Sequence, residues 1–342
     1  MQIINPNNCC GIDIHAHMVP ATLPAYIGDR LPNAWPSMAP AHECHRHVVI
    51  AEKVYRSVSD KCWDVEKRLA DMPGLGLGIQ VLSPMPELLF YWLKAQDAQQ
   101  LLRYLNEQIG AMVAARSAHL LGLGAVPLQD VDLAIDELRF IMQAPGFVGV
   151  GIGSNINGVP IGNTRFDAFY EACVDLGAAV FVHALKPTGM DRLLGPAALQ
   201  QVLAYPSDVG LAAASCITPN LMARHPRLRI AFSHGGGMLA SVLPRLEQGW
   251  HVIPALSEAV TDPPMAQAHK LHFDTLVFDT PALRHLVELF GASQLMVGTD
   301  YPFNFHDRTP VHRILAAGVA EATASALAYT NAERFLGLDI YK

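Results

Sequence analysis

The sequence predicts a (β/α)8 barrel that carries an insertion after its first strand. Three observations support this fold class. Short apolar runs alternate with longer amphipathic stretches along the 342 residues, the number of such runs is eight, and histidine or aspartate follows several of them. The runs are almost continuously hydrophobic, as in parallel strands that are covered on both faces. The predicted strands are Gly11–Ala16, Gly78–Ser83, Leu121–Val126, Phe147–Ile152, Ala179–His183, Leu228–Ser233, Leu271–Thr275 and Gln294–Thr299.

Predicted helices fill the gaps between these strands. Capping residues support two of them, since Asp130 and Asn163 stand directly before helical patterns. An open doubly wound sheet is the alternative, but it would need a glycine-rich phosphate loop after the first strand, where this chain has histidines. The predicted helices are Trp63–Met72, Ala95–His119, Asp130–Gln143, Thr164–Leu176, Pro196–Arg224, Gly237–Gln248, Pro281–Leu289 and Val311–Phe335.

The segment 18–62 departs from this alternation. It is rich in proline and histidine and shows little periodicity. An excursion of this length in a compact barrel is usually functional, so we expect a lid or a small subdomain. We therefore expect residues 1–342 to form one domain with 18–62 inserted in it.

Composition excludes several classes of protein. Hydrophobic residues make up 51% of the chain and charged residues 16%, which argues against disorder. The net charge of −7 gives no electrostatic reason to expect nucleic acid or an anionic membrane as a partner. No apolar run is long enough to span a bilayer, the first residues do not resemble a secretory signal, and the six cysteines form no CxxC pair. A cytoplasmic enzyme is the expectation.

The strongest local motif is Asp13-Ile14-His15-Ala16-His17 at the end of the first predicted strand. Residues two apart in a strand point to the same face, so His15 and His17 can reach one ion. At the carboxyl end of a barrel strand, that face opens into the active-site mouth. Taken alone, the pair could equally be two polar residues at the end of a core strand.

Three other predicted strands end in the same kind of residue. His183 ends the fifth, His234 follows the sixth and Asp300 follows the eighth. A single histidine at a strand end is usually structural, but four strands that deliver histidine or aspartate to one end predict a metal site. Imidazole nitrogen and carboxylate oxygen suit Zn²⁺, which is our first expectation, and also Mn²⁺ or Fe²⁺.

Two further patterns have weaker interpretations. His42, Cys44, His45 and His47 cluster in the insertion and could hold a second metal, but a solvated or substrate-lining loop is the favoured interpretation. The glycines at 235–237 resemble a phosphate loop without its Lys-Ser/Thr. We expect them instead to leave space beside the metal.

Several motifs together resemble the amidohydrolase superfamily, and more narrowly its branch of decarboxylases related to 2-amino-3-carboxymuconate-6-semialdehyde (ACMS) decarboxylase. The resemblance runs nearly end to end. The segments Cys62-Trp63-Asp64 and Gly298-Thr299-Asp300-Tyr301-Pro302-Phe303 are more specific to this branch than the opening histidine pair. The other matching residues are Tyr55-Arg56, Arg68, Met72, Gln80-Val81-Leu82-Ser83, Phe90-Tyr91-Trp92, Phe181-Val182-His183, Ser233-His234-Gly235-Gly236-Gly237 and Asn331-Ala332 with Phe335-Leu336-Gly337-Leu338.

The resemblance implies a role for each matching residue. His234 would act as the acid/base residue beside the ion, together with Asp300 as a catalytic residue, and Arg56 would bind the substrate carboxylate. A guanidinium group suits this role because it offers a carboxylate a permanently charged fork. Trp92 and Phe303 would also contact the substrate. The metal ligands would be His15, His17, His183 and Asp300.

The implied activity is non-oxidative decarboxylation of an unsaturated or aromatic carboxylic acid, such as an ACMS-like ring-cleavage product. One divalent metal and a water molecule would serve the reaction, without an organic cofactor. A hydrolase that opens a lactone or amide, and a hydratase, are alternatives on the same scaffold. A metal-binding barrel without activity is less favoured because His234 is present. The resemblance also suggests a homodimer, with which the apolar segment Gly249–Leu256 is compatible.

Overall fold

The computed structural model describes residues 11–28, 31–32 and 34–338. Cys9 and Cys10 lie outside this range. So do the first residues of the chain, from which we predicted that there is no secretory signal. The strands are β1 (Gly11–Met18), β2 (Ser37–Pro40), β3 (His45–Ile50), β4 (Lys53–Ser59), β5 (Leu77–Pro84), β6 (Leu120–Gly124), β7 (Phe147–Gly153), β8 (Asn155–Ile156), β9 (Val159–Pro160), β10 (Ala179–His183), β11 (Ile230–Phe232), β12 (His272–Asp274) and β13 (Leu295–Met296).

Eight of these strands form one parallel sheet in the order β1-β5-β6-β7-β10-β11-β12-β13. Its two edges meet, since the backbone N–H of Ile14 donates to Val297 O at 2.9 Å and that of His17 donates to Tyr301 O at 2.7 Å. The result is a nearly closed barrel. It confirms the predicted fold class, and each of the eight predicted strands is present.

The helices lie between the barrel strands, and several begin as predicted. Asp130 accepts a hydrogen bond from the Leu133 N–H at the start of α3. The helices are α1 (Val65–Leu75), α2 (Ala95–Ala115), α3 (Val131–Gln143), α4 (Asp167–Asp175), α5 (Tyr205–Ile217), α6 (Leu221–Arg224), α7 (Leu239–Val252), α8 (Pro254–Ala259), α9 (Pro264–Ala268), α10 (Thr280–Phe290), α11 (Pro310–Ala316), α12 (Glu321–Ser325) and α13 (Asn331–Leu336).

The predicted extents of two long helices were wrong. The one expected over 196–224 divides into α5 and α6 at Asn220, which has a positive φ of 61°. The one expected over 311–335 divides after Gly318, whose φ is 71°. Both residues tolerate the left-handed conformation, which interrupts the helical hydrogen bonds.

The segment between β1 and α1 contains a three-stranded antiparallel sheet, β2-β3-β4. Val48 and Val58 are its buried apolar residues. Arg56 lies opposite Val48 in the register of β3 and β4. This insertion sheet was not predicted, because its strands are short and carry too few apolar residues to show a period of two.

Apolar side chains of the strands and helices form the core, and buried polar residues gather where the barrel strands end. Asp13, His15 and Asp274 are completely buried, while His17 and His183 are 1% and 6% exposed. Among the described residues, no helix combines the length and apolar character that a membrane span requires. The fold thus concentrates the buried polar groups at the carboxyl end of the barrel.

Candidate metal centre and active site

Five side chains from four strand ends converge at the mouth of the barrel. His15 Nε2 lies 3.2 Å from His17 Nε2, and His17 Nε2 lies 2.9 Å from Asp300 Oδ1. His183 Nε2 lies 4.0 Å from the same carboxylate oxygen. Ligand atoms of His15, His183, His234 and Asp300 all lie within 4.8 Å of one another. The structure therefore brings together every predicted metal ligand and the predicted acid/base histidine.

The polar atoms at this centre are not satisfied by the protein. His183 Nε2 and Asp300 Oδ1 are buried and accept or donate no hydrogen bond of suitable geometry, although the carboxylate is close to His15 and His17. Buried polar atoms normally have a partner. A cluster of imidazole nitrogens with one carboxylate oxygen is a donor set that suits Zn²⁺, Mn²⁺ or Fe²⁺. The residues present therefore fit a divalent ion.

The far nitrogen of each strand-end histidine is held by a neighbouring oxygen. His15 Nδ1 lies 2.7 Å from Asp274 Oδ2, and His17 Nδ1 lies 3.3 Å from Pro84 O. His183 Nδ1 lies 2.9 Å from the backbone oxygen of Ala184. Such contacts orient the ring and leave Nε2 free to bind a metal.

The charges at the centre are strongly coupled. Burial opposes a charge on His15, but the carboxylates of Asp274 and Asp300 raise its pKa to about 10. Burial would also raise the pKa of Asp300, yet the nearby imidazoles of His15 and His17, whose Nε2 atoms lie 3.4 and 2.9 Å from its Oδ1, hold it well below its ordinary value. Burial lowers the pKa of His17, and it lowers that of His183 well below the ordinary range. His15 thus lies between two carboxylates, in surroundings that favour a positive charge such as that of a metal ion.

His234 and Asp300 are both held in the left-handed backbone region, with φ of 56° and 64°. Residues other than glycine seldom adopt this conformation, and such strain often lies at functional sites. The glycines after His234 allow close packing, since a Cβ on Gly237 would lie 1.8 Å from Pro206 O. His234 Nδ1 lies 2.8 Å from Ser233 Oγ. Burial and the charge of His15 lower the pKa of His234 to about 4, so its ring is neutral near pH 7.

Arg56 joins the insertion sheet to the metal centre through a stack of planar groups. Its guanidinium lies over the Phe303 ring, 4.4 Å from the centroid. Phe303 is also stacked with the ring of His17, at an interplanar angle of 25° and with centroids 5.2 Å apart. Among the described residues, none forms a hydrogen bond or ion pair with the guanidinium. Arg56 and Phe303 line one cavity with His183, His234 and Asp300.

Trp92, the third predicted substrate contact, lies elsewhere. It lines a neighbouring cavity of about 410 Å³ together with Tyr91 and Asp208, and the Lys186 ammonium lies 3.6 Å from its ring centroid. This cavity contains none of the strand-end histidines. The role of Trp92 therefore stays a prediction.

The histidine cluster of the insertion gains no support as a second metal site. His42 and His45 stack with centroids 4.5 Å apart, and Cys44 is exposed. Within the part of the chain that the structure describes, the only group with metal-binding geometry is the one at the barrel mouth.

Sequence reasoning missed two acidic residues of the site. Asp274 ends β12 and orients both His15 and the loop after β11, since the Gly235 N–H donates to its Oδ1 at 2.7 Å. Its place at the end of a predicted strand was a signal that could have been used. Glu87 lies in a turn after β5 and lines the same cavity as Arg56. No motif pointed to it.

Comparison with known proteins confirms the family. The family model described as Amidohydrolase matches residues 12–338. The chain belongs to the amidohydrolase family. It is 35% identical over 331 residues to a 2-amino-3-carboxymuconate-6-semialdehyde decarboxylase of Dictyostelium discoideum, which covers 96% of this chain and 92% of the relative. Decarboxylases are carboxy-lyases, so the predicted enzyme class is confirmed at this level.

Solved structures agree on the fold. The IDCase of Metarhizium anisopliae in its apo form has a TM-score of 0.82, with 19% identity and 98% of each chain covered. A 5-carboxyvanillate decarboxylase from Sphingomonas paucimobilis has a TM-score of 0.74, with 25% identity over 81% of this chain and 84% of that chain. A similar enzyme from Novosphingobium aromaticivorans, 22% identical, was crystallised with manganese; its TM-score is 0.72, and 82% of each chain is covered.

Proposed function

We propose that this protein is a metal-dependent, non-oxidative decarboxylase of an aromatic or unsaturated carboxylic acid. The observation that carries the proposal is one cavity that holds both unsatisfied metal-binding atoms and an unpaired cation. The atoms are His183 Nε2 and Asp300 Oδ1, and the cation is Arg56. The decarboxylases similar in sequence support the reaction type.

His15, His17, His183 and Asp300 would hold the ion. A divalent cation bound there would supply Lewis-acid polarisation to the groups beside it. We keep Zn²⁺ as the predicted metal and Mn²⁺ as its main competitor, because a decarboxylase of the same fold was crystallised with manganese. Measurement of the metal content of protein purified without added metal distinguishes the two.

Arg56 would bind the substrate carboxylate. Among the described residues its guanidinium has no hydrogen-bond or ion-pair partner, and it lies on the Phe303 ring beside the metal centre. Phe303 would contact the flat face of the substrate. Binding at this point places the carbon that carries the carboxylate near His234.

His234 would handle the proton that replaces the carboxylate. Decarboxylation breaks the bond between carbon and CO₂ and leaves the electron pair on carbon, which must take up one proton. The neutral ring of His234 can take a proton from water and donate it to that carbon. Because Nδ1 contacts Ser233 Oγ, Nε2 is the nitrogen that would carry this proton.

Substrate binding would require the mouth of the barrel to open. The central cavity has a volume of about 20 Å³, which has room for about one water molecule and not for an aromatic acid. An outer cavity of about 410 Å³ adjoins it, and Arg56, Gln201, Phe303 and Phe305 line both. This arrangement supports the interpretation of 18–62 as an insertion that acts as a lid within a single domain.

A homodimer and a cytoplasmic location stay part of the proposal. An apolar groove of about 620 Å³ lies between α5 and α7, and it includes Leu211, Val252 and Ile253, which are each about half exposed. A groove of this kind suits a second copy of the chain. Light scattering on a size-exclusion column, with Ile253→Asp as the disruptive variant, tests it.

The function is tested with the metal-loaded protein and a panel of carboxylates that contains ACMS and substituted benzoates. Product masses are measured. Loss of CO₂ from one member, abolished by a chelator and restored by metal, is the expected result. Gain of water would indicate the hydrolase or hydratase alternative instead. If no carboxylate of the panel changed in mass, the proposal would be contradicted.

A further inference from the structure

A second charged group lines the central cavity together with Arg56. Glu87 is 7% exposed and lines the same cavity as His183, His234 and Asp300. It lies in the turn Pro86–Leu88, directly after β5. Because Pro84 at the end of β5 contacts the ring of His17, the turn is fixed with respect to the metal centre.

Two tyrosines hold this carboxylate from different parts of the chain. Tyr55, the neighbour of Arg56 in the insertion sheet, donates a hydrogen bond to Glu87 Oε1. Tyr205, at the start of α5, donates to the same oxygen at 2.6 Å. Burial, and next the negative charge of Glu87, raise the pKa of both hydroxyls, so the tyrosines stay protonated donors.

The second oxygen of the carboxylate is left without a protein partner. Among the described residues, no group donates to Glu87 Oε2, and Glu87 forms no ion pair. Arg56 is the cation that interacts with the charge of Glu87. Burial lowers the pKa of the Arg56 guanidinium, but the charge of Glu87 raises it. Glu87 lines the central cavity, so a bound molecule can reach an oxygen that the protein leaves open. Glu87 therefore offers the cavity one free acceptor oxygen.

We propose that Glu87 is a specificity-determining residue that accepts a hydrogen bond from a hydroxyl or amino group of the substrate. The inference rests on the proposed function and narrows its substrate class. Arg56 takes the carboxylate, and Glu87 selects acids that carry a donor elsewhere on the ring or chain. An acid without such a donor leaves Glu87 desolvated and unpaired, which disfavours its binding.

A structural role would look different in experiment. If Glu87 only linked the insertion sheet to α5, its loss would weaken the binding of all substrates to the same extent. Glu87→Gln keeps the shape of the side chain and an oxygen for the two tyrosines. It replaces Oε2 with an NH₂ group, which opposes a substrate donor. Glu137→Gln is the matched control, because Glu137 is also a buried carboxylate but binds Arg103 and Asn106 on the helix side.

The test measures binding by calorimetry of hydroxy- and methyl-substituted benzoates, matched at the 2, 3 and 4 positions, to the metal-loaded protein. We expect the wild type to bind at least one hydroxy member roughly tenfold or more tightly than its methyl partner, and Glu87→Gln to lose this preference. Glu137→Gln should keep it. A wild type without preference at any position, or a Glu87→Gln variant that keeps the preference, would overturn the inference.

A second variant and a separate measurement of binding make the result interpretable. Glu87→Met has a similar length and takes the place of Glu87→Gln if that variant does not fold, as judged by thermal melting. Binding is measured apart from turnover. If the wild type prefers hydroxybenzoates through Glu87 but releases no CO₂, the proposed function alone is contradicted. If it releases CO₂ but shows no such preference, the role of Glu87 alone is contradicted.

Discussion

The barrel side and the insertion side of the cavity differ in how firmly their functional groups are held. On the barrel side, each strand-end histidine has an oxygen behind it, such as Asp274 behind His15 and Pro84 O behind His17. On the insertion side, the guanidinium of Arg56 lies on one aromatic ring and has no further support, since no described residue forms a hydrogen bond with it. The proposed metal centre is thus preorganised, whereas the group proposed to bind the substrate carboxylate is held by a single aromatic contact.

This contrast explains why the two sides should respond differently to mutation. A change on the barrel side should alter metal binding and with it the rate. A change on the insertion side should alter substrate affinity and leave the metal in place. Each prediction below separates these readouts, from the largest expected effect to the smallest.

Loss of a metal ligand should have the largest effect. In His183→Ala the metal loses one imidazole, and we expect kcat to fall by roughly a thousandfold or more. Metal content by plasma mass spectrometry should fall in parallel while circular dichroism stays native. His45→Ala removes an imidazole from the insertion and should keep full metal content. A His183→Ala protein with wild-type metal and rate would contradict the assignment.

Loss of the unpaired guanidinium should act on substrate affinity. Arg56→Ala would remove the two charge-assisted hydrogen bonds that we propose for the substrate carboxylate, so KM should rise about a hundredfold with unchanged metal content. Arg46→Ala is the control, because Arg46 lies on the adjacent strand over Trp63. An effect of equal size in both variants would show that the insertion sheet needs the charge only for its fold.

The carboxylate behind His15 should affect metal affinity more mildly. Asp274→Asn keeps the shape of the side chain but weakens its hold on His15 Nδ1. Metal affinity should fall roughly 10- to 100-fold. Competition with a chromogenic chelator measures it, and excess metal should restore most of the rate. No change in affinity would mean that Asp274 serves the fold of the loop after β11 alone.

A polar cluster outside both regions should affect stability alone. Burial opposes the charge of Asp167, but hydrogen bonds from Arg224 and His225 hold its pKa below the ordinary value. Its contribution is therefore present above the ordinary pKa and is lost as pH falls through the lowered one. Asp167→Asn should lower the free energy of unfolding by about 1 to 2 kcal/mol at pH 7, less below about pH 4.

Urea unfolding at both pH values measures this difference. Metal content and KM should stay at wild-type levels in Asp167→Asn. A change in either would show that the outer face of the barrel is coupled to the site.

The sequence predicted the barrel well for a physical reason. A parallel strand that is covered on both faces must be apolar throughout, so runs such as Phe147–Ile152 are visible without any alignment. Residues that follow such runs meet at one end of the barrel, which is why His183 and Asp300 could be placed together. The insertion sheet has one buried residue each on β3 and β4, Val48 and Val58, and gives no comparable signal.

The parts of the site that escaped prediction depend on distant contacts. Asp274 stands at the end of a predicted strand, but its role becomes apparent only from its contact with His15. Glu87 is recognisable only when Tyr55 and Tyr205 are seen to share one of its oxygens. A single acidic residue forms no motif whose spacing could indicate its partners. Trp92 shows the converse, because a residue in a matching motif lies in a different cavity.

The most direct test of the central claim is to follow metal content and CO₂ release together in one titration. Protein stripped by a chelator is reloaded with Zn²⁺ or Mn²⁺ in steps, and CO₂ from the best carboxylate of the panel is measured at each step. The account predicts that CO₂ release rises in proportion to bound metal and saturates at one ion per chain. Full CO₂ release from the stripped protein, or none at full occupancy with either metal, would contradict it.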